Sequence, residues 1–238
     1  MTRETVVITP RRILYEDADL LVVDKPPGLV SHATVDPARD HLVAAVSRWL
    51  RERDGQVGHL TLLHRLDRDT SGCVLLSRRA EHDAALAAAF AERRVDKTYL
   101  AIVEEQAGAP FPAGTTELRA PLAPGKGPGG RTLAVRAGGK PSRTLVRARL
   151  RREGRLLVEA RPQTGRTHQI RVHLAELGFP ILGDVLYGRV EADVKRLMLH
   201  ARQLELEHPR TGQRLRVVAP HPRAFVSRFP ELRRTAND

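Results

Sequence analysis

Cysteine is nearly absent: Cys73 stands alone in 238 residues. An internal disulfide is therefore impossible, and zinc or iron–sulfur sites built from several cysteines are excluded. Aromatic residues make up only 4%, with one Trp. No apolar run approaches the roughly 18 residues that a membrane-spanning helix needs. The opening Met1-Thr-Arg-Glu-Thr5 has no apolar stretch of signal-peptide length. A soluble, cytoplasmic protein without membrane contact is the expectation. Apolar content of 41% is ordinary for a globular chain, and this length can bury a core without disulfides or metal.

Acidic residues are scarce in one half only. Residues 1–119 hold 16 Lys and Arg against 18 Asp and Glu, whereas residues 120–238 hold 24 against 10. The segment 120–171 alone carries 13 basic and two acidic side chains. Of the 40 cations, 35 are Arg, whose planar fork suits bidentate phosphate contacts. A genome biased in its codons explains Arg over Lys but not the asymmetry between halves. The pattern predicts a polyanion partner, nucleic acid, along one face of the C-terminal half.

Short apolar runs at Ile13–Glu16 and Leu20–Asp24 bracket Asp17-Ala18-Asp19 and predict a hairpin. With Asp40 as N-cap, apolar residues at 42, 43, 46, 49 and 50 follow a helical period that ends near Gly55. Leu60–Leu66 reads as extended, Gly72–Leu76 as a buried strand, the Ala-rich stretch 80–91 as a helix and Thr98–Val103 as a strand. Stretches 106–114 and 123–130, rich in Gly and Pro, read as loops. Residues 142–150 and 155–161 predict a basic hairpin, Thr167–Leu177 a helix closed by Gly178, and Leu204–Leu206 with Leu215–Val218 a last hairpin. Many short strands with three or four helices, and no βαβ alternation, predict an α+β fold with a mixed, mainly antiparallel central sheet.

Three patterns imitate chemistry. Gly125–Thr132 approaches a phosphate-binding loop, but Arg131 stands where Lys is needed and Pro128 interrupts it. His168 and His173 are five apart, about 140° round a helix, so they do not share a metal-binding face. Ser71, His64 and Asp67 are the residue types of a hydrolytic triad, but they crowd into eight consecutive residues.

The densest chemistry lies in His64-Arg65-Leu66-Asp67-Arg68-Asp69-Thr70-Ser71-Gly72. Taken alone, these residues could equally form a salt-bridged turn capped by Asp67 or Asp69. The pattern H-R-L-D-x-x-T-S-G resembles that of the RluA-type pseudouridine synthases, and it is not isolated. Leu21-Val-Val-Asp-Lys25-Pro-Pro-Gly28-Leu-Val-Ser-His32 resembles the family's opening motif, with Asp24 where Asn is usual. Lys97-Thr-Tyr99-Leu-Ala, Pro141-Ser-Arg-Thr144, Thr164-Gly-Arg-Thr-His-Gln-Ile-Arg171-Val-His173, Pro180-Ile-Leu-Gly-Asp184 with Tyr187-Gly188, and His208-Pro-Arg-Thr-Gly212 follow in the family's order.

The resemblance implies an N-terminal tail at 1–12, one catalytic domain at 13–222 with two lobes around a cleft, and a tail at 223–238. It implies a uridine isomerase that needs no cofactor or metal, with Asp67 as the essential carboxylate. Arg171 would pair with Asp67, and Tyr99 would flank the target uracil. Arg65 would fill the space left by the flipped base. Arg131, Arg136, Lys140, Arg143, Arg147, Arg149 and Arg166 would contact RNA. Larger relatives carry an N-terminal RNA-binding module of the S4 type. Here the match begins near Ile13, so the catalytic domain is expected to choose its own target, a stem-loop of tRNA or rRNA, acting as a monomer with no obligatory protein partner. A catalytically silent RNA-binding protein on the same fold would have lost Asp67, Tyr99 or Arg171, and all three are present. Charge reversal at Arg147 and Arg149 is expected to weaken RNA binding and flatten its salt dependence in a titration from low to high salt. An unchanged slope would place that hairpin away from RNA.

Overall fold

In a computed structural model of the chain, the described residues are 5–36, 39–105, 108–125, 130–188 and 193–233. They form two compact units, Met1–Asp96 with Gln203–Ala219 and Lys97–Arg202 with Pro220–Asp238. The fold is α+β with a mainly antiparallel sheet. An isolated parallel bridge joins Val30 to His41. No helix among the described residues is long and apolar enough to cross a membrane.

In the first unit, β1 (Ile13–Glu16) and β2 (Leu20–Lys25) form the expected hairpin, and β2 pairs on its other side with β4 (Ser71–Ser77). The two-residue strand β3 (Thr61–Leu62) is all that forms of the longer extended run expected at 60–66. Leu20 and Val22 pack with Cys73 and Leu75 against Leu86 and Ala89 of α2 (Ala80–Ala91). Leu21, Val23, Val74 and Leu76, which alternate with them, are also fully buried. Cover on both faces explains why these strands read as continuous apolar runs rather than alternating ones. Helix α1 (Leu42–Asp54) ends at left-handed Gly55 as expected, but its cap is His41, whose Nδ1 accepts from the Ala44 N–H at 3.3 Å. Asp40 instead binds Arg48 and the Val6 N–H. The end of β10 (Leu199–Glu207) pairs with β11 (Arg214–Val218).

In the second unit the strand order is β5 (Asp96–Glu104), β9 (Arg155–Pro162), β8 (Lys140–Arg152), β6 (Thr115–Pro124), β7 (Thr132–Ala134). The basic hairpin at β8–β9 is as expected. Strand β6 was hidden by its two prolines and the glycines around it. Thr132 opens a strand rather than a helix, which removes the phosphate-loop reading, although residues 126–129 of that loop lie outside the described residues. Helix α3 (Gln169–Glu176) starts two residues later than predicted because His168 is left-handed, at φ 55°.

Both segments read as tails are packed where described. Ile8 is buried, and Arg48 donates to the Val6 carbonyl. Helix α4 (Arg223–Val226) and the 3-10 turn Pro230–Arg233 place Phe225, Phe229 and Leu232 in the core of the second unit. Three bulky apolar residues in ten positions carry enough burial to hold that segment down.

The second unit also holds three histidines that burial keeps neutral. His173 is pushed down to about 4, His200 to about 3 and His221 to about 4, the last two also by nearby arginines. In the unfolded chain each titrates near 6.5 and takes up a proton that the folded form refuses. Stability to urea is therefore expected to be full above about pH 6.5 and to fall as the pH drops from there towards 4. The His173→Gln variant should show a flatter decline in the same titration, and an identical pH profile would contradict the assignment.

Candidate active site

Within the first unit, the loop bearing Asp67 is held by residues of the opening motif. Lys25, at the end of β2, is fully buried, and its ammonium donates to the carbonyls of Arg68 at 2.8 Å, Leu29 at 2.6 Å and Pro26 at 3.0 Å. The Arg68 carbonyl also accepts the Gly28 N–H at 2.9 Å. Gly28 adopts φ 86°, a conformation that side chains disfavour, so glycine is required to deliver that N–H. Ser31 closes the other flank: its hydroxyl donates to the Leu66 carbonyl at 2.9 Å and accepts the Leu66 N–H at 3.1 Å. The Thr70 N–H turns back to the Asp67 carbonyl at 3.2 Å. Three successive carbonyls, of Leu66, Asp67 and Arg68, are thus committed, and the backbone under the Asp67 carboxyl is fixed from both sides. The Asp67 side chain is half-buried and Arg65 is exposed.

His64 anchors the start of this loop. Its Nε2 accepts the Leu75 N–H at 2.9 Å and its ring stacks on Phe90 at 4.8 Å. That nitrogen is engaged with the backbone, which speaks against His64 as the base of a triad with Ser71. Among the described residues, one group has the spacing of a metal site, Asp17, Asp19 and His208. Its oxygens are occupied from within: Asp17 by Tyr15 and His208, Asp19 by Arg210 at 2.6 Å. It is a polar joint beneath the β1–β2 turn.

Within the second unit, register decides which residues share a face. Tyr99 lies opposite Ala160, and Ala160 opposite Val146, so these three stand on the face that α3 covers through Ile170 and Leu174. Helix α3 is tied to that face by a chain of hydrogen bonds with a consistent direction. Ser142 donates to the Ala120 carbonyl at 2.6 Å and so accepts from His173 Nε2 at 2.8 Å. His173 Nδ1 then accepts from Thr144 at 2.9 Å, and Thr144 accepts from Gln169 Nε2 at 2.9 Å. Gln169 Oε1 takes the Thr164 hydroxyl at 2.5 Å and the Arg166 N–H at 3.1 Å. The chain joins Pro141–Thr144 to Thr164–His173, two motifs that sequence alone leaves unconnected, and requires the neutral histidine that burial provides.

Arg171 is nearly buried and grips Asp184 with two parallel bonds, Nε to Oδ2 at 2.8 Å and Nη2 to Oδ1 at 2.7 Å. Asp184 also accepts the N–H groups of Leu186 and Tyr187. Gly183 precedes it at φ 72°, where an added Cβ would collide with the Arg196 carbonyl. Asp184 lies in the motif Pro180–Gly188, but only the fold shows Arg171 to be its partner.

The basic residues divide. Arg143 and Arg147, out of step with Ser142, Thr144 and Val146, point from the face opposite Tyr99. There Glu117 pairs with both Arg119 and Arg143, and Glu159 with Arg149 at 3.6 Å and Arg161 at 2.9 Å. Arg166 donates to the Pro141 carbonyl at 3.2 Å. Arg131 donates to the Leu186 carbonyl and lies over the Tyr187 ring. Arg136 and Lys140 are exposed at the β7–β8 turn.

Residues 19–176 match the family described as RNA pseudouridylate synthase. Ribosomal large subunit pseudouridine synthase C of Pasteurella multocida is 38% identical over 218 residues, covering 88% of this chain and 64% of the relative. Ribosomal large subunit pseudouridine synthase D of Nitrosomonas europaea is 38% identical over 234 residues, covering 94% and 66%. The chain thus spans just under two thirds of the length of these curated relatives. A protein of Zymomonas mobilis named as an uncharacterized RNA pseudouridine synthase is 37% identical over 227 residues, covering 92% of this chain and 97% of the relative. The solved structure of human RNA pseudouridylate synthase domain containing 4 superposes with a TM-score of 0.72 at 27% identity, over 94% of this chain and 93% of that one. With the opening motif and the Asp67 loop built into one cradle, and a family match over two thirds of its length, this chain belongs to the RNA pseudouridylate synthases.

Proposed function

We propose that the protein isomerises uridine to pseudouridine in RNA, with Asp67 as the catalytic carboxylate. The observation that carries this reading is the Asp67 loop itself, whose carbonyls at 66, 67 and 68 are all held by hydrogen bonds while the carboxyl is left half-exposed. Rigid support beneath one acidic side chain suits a group that must meet a substrate in fixed geometry.

In the reaction the bond between uracil N1 and ribose C1′ breaks, the base turns, and a bond forms between C5 and the same C1′. The proton on C5 leaves and N1 ends protonated, so atoms balance and no oxidant or group donor is consumed. An ionised carboxylate supports the positive charge that develops on the ribose, by attack at C1′ or by taking a sugar proton. Tyr99 flanks the uracil and assists loss of the C5 proton, and Arg171, held by Asp184, is the basic residue of the catalytic set. Reaching a base in folded RNA means unstacking it, at about a few kcal/mol, and Arg65, exposed beside Asp67, fills the vacated space.

The RNA is a stem-loop of rRNA or tRNA, held through phosphate contacts by Arg131, Arg136, Lys140 and Arg166, with Arg143, Arg147 and Arg149 reaching flanking backbone. The enzyme acts as a monomer in the cytoplasm, where such RNA is matured. The test uses RNA from cells with and without the gene, treated with a carbodiimide that marks pseudouridine and mapped by reverse transcription. A stop lost with the gene should return with the wild-type protein and not with Asp67→Asn. Equal restoration by Asp67→Asn would remove Asp67 from its role, and no lost stop in tRNA or rRNA would favour a silent RNA-binding protein.

A further inference from the structure

Tyr187 is a part of the second unit to which the proposed reaction assigns nothing, yet four elements converge on it. Two guanidiniums lie over its ring, with the Arg171 carbon 5.1 Å and the Arg131 carbon 5.4 Å from the ring centroid. Its hydroxyl accepts the N–H of Thr132, the first residue of β7, at 2.7 Å. The same hydroxyl meets His168 Nδ1 at 2.8 Å. One phenol oxygen therefore joins the start of β7 to the residue that caps α3. Its backbone N–H reaches Asp184 Oδ1 at 3.2 Å, the oxygen that also holds Arg171 Nη2.

Each of these neighbours is itself constrained. His168 caps α3 in a left-handed conformation, a strained state that persists only when its surroundings hold it. Arg171 and Asp184 form a buried pair with two parallel bonds, and the Asp184 oxygen that holds Arg171 Nη2 also holds the Tyr187 N–H. Arg131 directly precedes β7, which Thr132 opens and which pairs along β6 and packs against α3. Tyr187 therefore ties the base of the β6–β7 hairpin to the start of α3 and to the face of Arg171 with a single side chain.

We infer that Tyr187 is a positioning residue, which makes the orientation of Arg171 depend on the docked position of the β6–β7 hairpin. The inference rests on the pseudouridine synthase reading for its consequence in turnover, but not for the coupling itself. RNA that engages Arg131 presses on the ring that Arg171 lies against. The hairpin thereby passes on whether RNA is seated.

The variant Tyr187→Phe keeps the ring beneath the guanidiniums and removes only the hydroxyl, so the bonds to Thr132 and His168 are lost together. Two readouts separate this inference from the reaction assigned above. By NMR, exchange of the Thr132 amide proton and of the Arg171 Nε proton should both quicken about tenfold or more in Tyr187→Phe, while amides of the β8–β9 ladder keep their rates. In turnover assays on the RNA identified by carbodiimide mapping, kcat should fall about tenfold with RNA affinity within about twofold of wild type, the pattern of lost geometry rather than lost binding. The core variant Phe225→Leu, which weakens the same unit away from Tyr187, should leave kcat unchanged. Unchanged Arg171 Nε exchange in Tyr187→Phe overturns the coupling whether or not the wild type makes pseudouridine. A loss of RNA affinity equal to the loss of rate, or an equal loss of rate in Phe225→Leu, also overturns it, because Tyr187 would then be an RNA contact or a packing residue. A wild-type protein with no activity on any RNA would refute the assigned reaction and leave the exchange result to decide this one.

Discussion

The buried ammonium of Lys25 is the constraint around which the first unit is arranged. An ion taken fully out of water is costly unless its donors are matched, and here its donors meet the carbonyls of Pro26, Leu29 and Arg68. Two of those carbonyls belong to the turn that follows β2, and the third belongs to the Asp67 loop 43 residues on. The same loop receives Gly28 and Ser31 from that turn. Two motifs distant in sequence are thus one object in space. One supplies donors, and the other presents carbonyls that would otherwise be buried without partners. Neither would keep its shape alone.

The second unit solves a similar problem with a different device. Rather than a single charge, it uses a relay of neutral groups from Ala120 through Ser142, His173, Thr144 and Gln169 to Thr164. Each member can donate in only one direction once its neighbour is fixed, so the chain admits one tautomer of His173. Protonation of His173 would turn Nδ1 into a donor facing the Thr144 hydroxyl that already donates to it, which is why burial and hydrogen bonding agree in keeping it neutral. Beside the relay, Asp184 offsets the charge of Arg171 inside the unit. Breaking such a pair from one side leaves an uncompensated buried charge. These polar parts consume stability, and Phe225, Phe229 and Leu232 from the C-terminal segment help restore it.

Local chemistry made much of this legible in the sequence. The β1–β2 hairpin, the span of α2 and the β8–β9 hairpin follow from runs of apolar residues and turn formers, and the structure has them within two residues at most ends. Features that depend on distant partners were not legible. Asp40 looks like a helix cap but is claimed by Arg48 and Val6, so His41 takes its place. Strand β6 carries Pro121 and Pro124, and its pairing with β8 could not be foreseen from composition. Charge counting marked segment 120–171 as basic without showing that Arg143 and Arg147 leave the sheet on the face opposite Tyr99. The candidate site residues were read from their motifs, whereas the bonds that Lys25, Ser31, Asp184 and Tyr187 make needed the fold.

Lys25 holds the Asp67 loop in place. Native-state amide exchange in the Lys25→Met variant tests it most directly, because a thioether matches the length of the side chain but donates nothing. In that variant the amides of Gly28, Leu66 and Thr70 should exchange about tenfold to a hundredfold faster, as expected for bonds worth about 1–3 kcal/mol when left unmade, while the β2–β4 ladder keeps its protection. Unchanged exchange at those three amides, or an equal loss along the whole ladder, would contradict it.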